Sequence, residues 1–266
     1  PEEPNYRKVI DQFKPDLIFS CLTGNSIITP AEPIALESIA EETPKGNIKT
    51  FNWFCDDTWR FDNFSSKACW LFNACSTPEP NYVQSYRDIG YNNIIVGGWH
   101  TNHKYYPTER LEKKHDVTFI GHMNNPDRVM YIEYLRKNGI NVSNFHGLSH
   151  DEMTRVLAES KIGLNFSKNY NGNLARTQMK LRPFEVTAAK NTVLLTEHHS
   201  ELEHFFDIDK EIVTFKSPKE MLAKIRTLLD KENIRSKIAN CGNLRFEKEH
   251  SSHKRMEYII EEIKKI

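Results

Sequence analysis

The sequence predicts an α/β protein built on two parallel sheets. Short apolar runs such as Asp16–Cys21 and Ile162–Phe166 alternate with segments patterned as helices, and this alternation calls for parallel strands joined by right-handed crossovers. It breaks once, over Trp99–Lys114, where His100, His103, the Tyr105-Tyr106 pair and a Glu/Lys-rich tail replace it, and then restarts. The break predicts a linker between a first domain of residues 1–108 and a second of residues 115–266.

Each element has its own local reason. Tyr6–Phe13 is patterned as a short helix. Asp16–Cys21 (DLIFSC) reads as a buried parallel strand closed by the turn at Thr23-Gly24-Asn25. Thr29-Pro30 with Glu32 marks a helix start, Pro33–Glu42 carries the helix, and Pro44-Lys45-Gly46-Asn47 ends it. Ile48–Cys55 and Ala68–Cys75 (ACWLFNAC) read as the second and third strands, with Asp56-Asp57-Thr58 opening a helical or irregular segment between them. Pro80–Ile89 is a helix closed by Gly90, and Ile94–Val96 is a fourth strand before Gly97-Gly98.

In the second domain Val117–Ile120 is a strand ending at Gly121, Pro126–Asn138 a helix stopped by Gly139, and Asn141–Phe145 a strand ending at His146-Gly147. Ser149 with Glu152 three residues on forms a capping box, whose helix runs to Ser160. Ser217-Pro218-Lys219-Glu220 caps another helix with Pro at its first position, and Met221, Leu222, Ile225, Leu228 and Leu229 form its apolar face. Residues 231–248 and 252–264 read as two further helices.

Composition narrows the class. At 266 residues the chain buries a sizeable core as one large or two small domains. Lys and Arg number 36, as do Asp and Glu, so no global basic surface exists to hold nucleic acid non-specifically, and a local basic patch remains open. Five Cys are scattered with no CxxC spacing and no pairing with His; Cys55, Cys69 and Cys75 fall in apolar runs, which predicts reduced, buried thiols in a cytoplasmic protein. No apolar run approaches the ~18 residues of a membrane span, and no signal peptide is visible.

The densest stretch is Asn165–Phe206: a strand, a polar loop with Arg176, Lys180 and Arg182, a helix with Glu185 in its first turn, the strand Thr192–Thr196, and a helix ending at Phe205-Phe206. In an open α/β sheet ligands sit outside the carboxyl ends of the strands. Fixed cations there point to an anion, most simply a diphosphate, and an acid among them suits the hydroxyl pair of a ribose.

This stretch resembles the donor-binding half of glycosyltransferases with the two-Rossmann-domain, or GT-B, architecture, and within group 1 of these the CgeB-like (spore maturation protein B-like) branch. The residues that carry the resemblance are Ile162-Gly163-Leu164-Asn165-Phe166, Arg182-Pro183-Phe184-Glu185 and Ala188-Ala189-Lys190-Asn191-Thr192-Val193-Leu194-Leu195-Thr196, with Glu211–Phe215 and Ile238–Gly242 downstream. It covers residues 115–260 well and residues 15–110 more weakly. It implies two Rossmann-like domains facing a cleft and C-terminal helices that pack back onto the first. Such a first domain has strands before Asp16 and a Gly-rich loop; neither is seen, and the chain opens on Pro1 rather than Met, so the first domain is expected to be short or truncated.

The resemblance places Glu185 on the ribose of a nucleotide. The bland reading is a first-turn acid stabilising its own helix. A second Glu eight residues earlier is usual in the pattern; Thr177 stands there and supplies no charge. Arg176, Lys180 and Arg182 are the diphosphate candidates, acting as fixed charges that neutralise a departing nucleoside diphosphate; the alternative is a solvated basic loop. Gly121–Arg128 (GHMNNPDR) offers backbone N–H groups to phosphate with Arg128 assisting. His146-Gly147 falls where the resemblance puts the nucleobase, and Asn165 closes the strand leading into the cationic loop.

Asp56 and Asp57 end a first-domain strand and are candidates to orient or deprotonate an acceptor hydroxyl, against the plain reading of a helix cap. His100 and His103 lie near the junction, where either would reach the donor sugar, and His100 is counted as catalytic. No P-loop or zinc motif occurs, and Asp207 and Asp209 read as closing a turn, so no metal and no cofactor are expected.

The expected activity is hexosyltransferase-like and metal-independent, moving a sugar from a nucleotide-diphosphate sugar to an acceptor that is a glycan, a protein, a small molecule or a modified nucleic-acid base. The rivals are a catalytically silent nucleotide-sugar-binding protein and a sugar-nucleotide epimerase on the same fold.

Overall fold

The computed structural model describes residues 5–24, 32–171 and 174–266. The helix start expected at Thr29-Pro30 lies outside the described residues. The chain divides into two compact units, one of Pro1–Gly98 with Met256–Ile266 and one of Trp99–Arg255. The bounds differ from 1–108 and 115–266, because the segment after Gly98 and the last eleven residues group by their contacts rather than by their pattern.

In the first unit the order is α1 (Tyr6–Phe13), β1 (Leu17–Ser20), α2 (Glu32–Glu42), β2 (Lys49–Trp53), α3 (Asp57–Arg60), α4 (Ser66–Ala68), β3 (Ala74–Thr77), α5 (Tyr82–Asp88) and β4 (Ile94–Val96). The sheet runs β1-β2-β3-β4, all parallel. The strand expected over Ala68–Cys75 holds only at its last two residues. Residues from Ser66 to Leu71 are helical turns, and β3 begins only at Ala74. A continuous apolar run reads equally well as a strand or as a buried helical turn. Here Cys69 and Phe72 pack with Phe54, Cys75 and Tyr86 in one core cluster. On the other side of the sheet Ile259 and Ile263 lie against Phe51, Trp53, Ala74 and Ile95.

The second unit contains β5 (His115–Ile120), α6 (Pro126–Lys137), β6 (Val142–Phe145), α7 (His150–Ala158), β7 (Ser160–Asn165), β8 (Lys168–Asn171), β9 (Leu174–Thr177), α8 (Arg182–Ala188), β10 (Val193–Glu197), β11 (Val213–Phe215), α9 (Pro218–Asp230) and α10 (Glu232–Arg245); α11 (Ser252–Lys264) follows. The capping box forms: Ser149 Oγ accepts from the Glu152 amide at 3.3 Å and Glu152 Oε2 accepts from the Ser149 amide at 2.8 Å. Ser217 Oγ caps α9 through the Glu220 amide at 3.2 Å.

Five parallel strands run β11-β10-β7-β5-β6 over a core that includes Val117, Leu135, Ile162, Leu164, Val193, Leu195 and Phe215. The polar loop after β7 folds into an antiparallel hairpin of β8 and β9 that its composition does not announce. The helix expected before Phe205-Phe206 is a 3-10 turn, Ser200–His204. The turn reading of Asp207–Asp209 holds, with Asp209 left-handed at φ 62° and its amide bonded to the Ile212 carbonyl at 2.7 Å.

Two glycines set how closely α8 can approach. A Cβ on Gly163 of β7 would lie 2.8 Å from Val186 Cγ1, and one on Gly242 of α10 would meet the Glu211 carbonyl and Thr187. A side chain at Gly163 would press on α8, the helix that carries Arg182 and Glu185, whereas one at Gly242 would press on the Glu211 backbone.

Candidate functional site

The order of the second sheet fixes where a ligand can sit. The chain leaves β5 for β6 on one side and returns to β7 on the other, so the order reverses between β5 and β7. In open α/β sheets the crevice outside the carboxyl ends at such a switch point is the ligand site. The first sheet is in simple sequence order and has no reversal. The carboxyl ends of the second sheet lead into His122, His146, Ser167-Lys168 and Glu197-His198-His199.

At the switch point itself the groups already satisfy one another. Glu197 Oε2 accepts from the Ser167 amide at 3.0 Å and the Lys168 amide at 3.1 Å. Lys168 Nζ sits 3.3 Å from both Glu197 Oε1 and Asp127 Oδ2. Asn125 Oδ1 caps α6 by accepting from the amides of Asp127 at 3.0 Å and Arg128 at 3.4 Å, and Asn125 Nδ2 donates to the Lys168 carbonyl at 3.3 Å. The Gly121 amide donates to the Phe145 carbonyl at 2.8 Å. Within Gly121–Arg128, read as a phosphate loop, the amides of Gly121, Asp127 and Arg128 thus have protein partners, the last two because Asn125 closes the helix start. Arg128 keeps one opening. Its Nη1 donates to the His122 carbonyl at 3.2 Å, while its Nε is buried with no partner. Burial lowers the Arg128 pKa against the pull of Glu197.

The three cations of the loop make different contacts. Arg182 Nη1 pairs with Glu185 Oε2 at 2.8 Å and donates to Met153 Sδ at 2.9 Å. Glu185 is 6% exposed, and burial raises its pKa while Arg182 and His150 pull it down. Lys180 donates to Gln178 Oε1 and lies near His199. Arg176 is in β9, opposite Asn169 of β8. Lys180 and Arg182 are two residues apart in sequence but face different neighbours, because the helix begins between them.

His146 is exposed and stacked on His122, with ring centroids 5.6 Å apart, and Gly147 turns at φ 68°. Asn165 is buried and donates through Nδ2 to Thr196 Oγ1 at 2.9 Å, which ties β7 to β10. His100 Nδ1 lies 2.8 Å from Ser252 Oγ, and burial, then Arg255, push its pKa down to about 4. His103 begins a 3-10 turn and is exposed.

In the first unit Asp57 is turned inward rather than toward an acceptor. It is 1% exposed, with the Tyr86 hydroxyl donating to its two carboxylate oxygens at 3.1 and 3.2 Å. Burial pushes its pKa up to about 6, against hydrogen bonds from Thr77, Ser65 and Tyr86. Asp56, half-buried, takes a left-handed conformation at φ 56° and makes no side-chain cap bond to α3. β2 ends at Trp53, and the left-handed N-cap at Asp56 followed by the first helical residue at Asp57 sets these neighbours apart.

Sequence reasoning missed Glu197 and His199. β10 runs one residue past the strand Thr192–Thr196 that the sequence predicts, to the acid at its carboxyl end. His199 is 9% exposed, and among the described residues neither ring nitrogen has a hydrogen-bond partner. With His198 Nδ1 and Arg128 Nε, these unpartnered buried atoms gather along the carboxyl edge of the second sheet. Buried polar groups are normally paired, which makes this edge the candidate site for a polar ligand.

Parallel sheets of this kind define the α/β fold of GT-B glycosyltransferases. Residues 106–261 match the model of a glycosyl transferase-like family, and the chain belongs to that family. Its fold is similar to a glycosyltransferase from Rickettsia africae ESF-5, with a TM-score of 0.67 and 10% identity over 98% of this chain and 79% of that one. Anabaena Alr3699/HepE in complex with UDP and glucose gives a TM-score of 0.65 and 10% identity over 98% and 81%. A mutant of S. aureus TarM in complex with fondaparinux, alpha-GlcNAc-glycerol and UDP gives 0.57 and 10% over 82% of this chain, which spans only 51% of TarM. No curated protein matches the chain. Among the described residues no helix is long and apolar enough to cross a membrane.

Proposed function

We propose that the chain is a metal-independent, hexosyltransferase-like enzyme of the CgeB-like branch, acting in the cytoplasm, whose second unit holds a nucleotide-diphosphate sugar. The observation that carries this is the edge of buried, unpartnered nitrogens on Arg128, His198 and His199 at the carboxyl end of the second sheet. Family membership and the UDP held by the Anabaena and S. aureus structures support it. Arg128 and Lys180 supply positive charge to the diphosphate, and Arg182 joins them where Glu185 turns to the ribose hydroxyls. The acceptor belongs to the first unit, where Asp56 is the acid to test. The acceptor class stays as wide as glycan, protein, small molecule or modified nucleic-acid base.

Thr177, exposed on β9 where the resembled pattern has an acid, favours a second reading: a nucleotide-sugar-binding protein without turnover. A thermal-shift panel of nucleoside diphosphates and their sugars tests the first step. A true ligand at a hundred times its Kd stabilises by ~2.7 kcal/mol, and a panel with no shift sinks both readings. Donor turnover across an acceptor panel then separates transfer from binding, and interconversion of the donor without an acceptor would indicate an epimerase.

A further inference from the structure

We propose that a concavity beside α7 holds a neutral sugar unit of a glycan; as a statement about the acceptor class, this rests on the transferase reading above.

The concavity measures about 390 Å³, and Tyr105, Pro107, Asp151, Thr154 and Arg155 are among the residues that line it. That volume is in the range of small-molecule sites. All five residues belong to the second unit. The backbone builds one wall: the Thr154 hydroxyl of α7 donates to the carbonyl of Tyr105, the last residue of the 3-10 turn His103–Tyr105, at 2.9 Å. Tyr105 is 54% exposed, yet its ring meets the His150 ring edge to face, with centroids 4.6 Å apart. A flat apolar face is thus held in place against water, so a ligand spends little on ordering it.

The polar groups follow from the spacing along α7. Asp151 and Arg155 stand at i and i+4, which ordinarily pairs an acid with a base. Here Arg155 Nε turns to Glu159 Oε1 at 3.1 Å instead, and Lys114 Nζ shares that oxygen at 2.8 Å. Among the described residues the Asp151 carboxylate has no hydrogen bond or ion pair, and the terminal nitrogens of Arg155 donate to no group. Glu152 is committed elsewhere, closing the capping box with Ser149.

These groups select the ligand. Carboxylate oxygens only accept and guanidinium N–H groups only donate, so together they match a group that does both, a hydroxyl. A pyranose adds an apolar C–H face that covers an aromatic ring. Asp151 and Glu152 outnumber Arg155, so a phosphorylated or sulfated saccharide is repelled. One ring and one proline are too little apolar surface for a lipid chain. A neutral glycan fits all three conditions, and it narrows the acceptor to that class.

Isothermal titration of the full chain with maltotriose, cellotriose, chitotriose, a sulfated oligosaccharide and, in parallel, UDP tests this on wild type, Tyr105→Ala, Tyr105→Phe and Asp151→Asn. Wild type should bind at least one neutral trisaccharide in preference to the sulfated one. Tyr105→Ala and Asp151→Asn should each weaken it on the order of tenfold, Tyr105→Phe should keep most of the affinity, and UDP binding should stay unchanged throughout. No neutral trisaccharide bound by wild type, binding that survives both Tyr105→Ala and Asp151→Asn, or a preference for the sulfated ligand overturns the proposal. Equal losses for UDP and trisaccharide also overturn it, since they place the sugar with the nucleotide. UDP bound without any trisaccharide leaves the donor site standing; a trisaccharide bound without UDP removes the donor site and keeps this one. Should Tyr105→Ala fail to fold, Asp151→Asn decides alone.

Discussion

Arg182 and Glu185 form an ion pair of 2.8 Å across the first turn of α8, and the same guanidinium nitrogen reaches Met153 Sδ at 2.9 Å. The acid and the cation are thus a coupled unit. A ribose that takes Glu185 must share it with Arg182 or release Arg182 toward the diphosphate.

Glu185→Gln separates the two roles. Gln keeps the volume and one acceptor but loses the charge, and a hydrogen bond to a charged group is worth about 1.5–3 kcal/mol. Nucleotide affinity should fall by roughly tenfold to a hundredfold at ~1.4 kcal/mol per tenfold, with the circular dichroism spectrum intact. Unchanged affinity with a lowered melting temperature would leave Glu185 as the partner of Arg182 and nothing more.

Gly163→Ala tests the seat of α8. The added methyl would lie 2.8 Å from Val186 Cγ1, and overpacking of this kind costs about 1–3 kcal/mol. Urea unfolding should show that loss, together with weaker nucleotide binding because α8 carries Glu185. A neutral effect on both would mean that α8 is free to move away from β7.

Asn125→Ala removes the cap of α6 and the tie to the Lys168 carbonyl. Loss of an N-cap costs about 0.5–2 kcal/mol. Faster amide hydrogen exchange should appear in the first turn of α6 and in β8 together; exchange confined to α6 would show that the hairpin is held elsewhere.

Asp57 makes stability fall as pH rises. Its folded pKa is raised from 3.8 to about 6. Its contribution is therefore fully present below pH ~4 and lost by the time pH passes about 6, on the order of 3 kcal/mol at most. Asp57→Asn should flatten that part of the stability curve. A curve that keeps its slope in the variant would assign the titration to another group.

His250 acts in the opposite direction. Burial and Arg255 push its pKa down to about 3, below the unfolded value near 6.5. Its contribution is present above pH ~6.5 and is lost as pH falls toward 3. Carbon-13 NMR of labelled histidine should show the His250 ring neutral at pH 5, and a protonated ring there would refute the buried geometry.

Much of the architecture was legible because local rules set it. The parallel sheets follow from alternating apolar runs, α7 and α9 begin where Ser149 and Ser217 place their caps, and left-handed glycines close the turns at Gly90 and Gly139. The stretch around Glu185 stood out because cations and an acid crowd a strand-to-helix connection. What stayed hidden was decided through space. Whether Ala68–Cys75 is strand or helical turn depended on which face Cys69 and Phe72 could bury against Phe54 and Tyr86. That Asn125, which caps the first α6 amides, is itself tied to the Lys168 carbonyl of β8, more than 40 positions away, shows only in the folded chain. His199 and His250 are the same residue type in similar burial, and no spacing rule tells them apart. The carbonyl of Phe205 satisfies one, and among the described residues the other has no hydrogen-bond partner, because hydrogen bonds act over about 3 Å and only the folded chain sets which groups come that close.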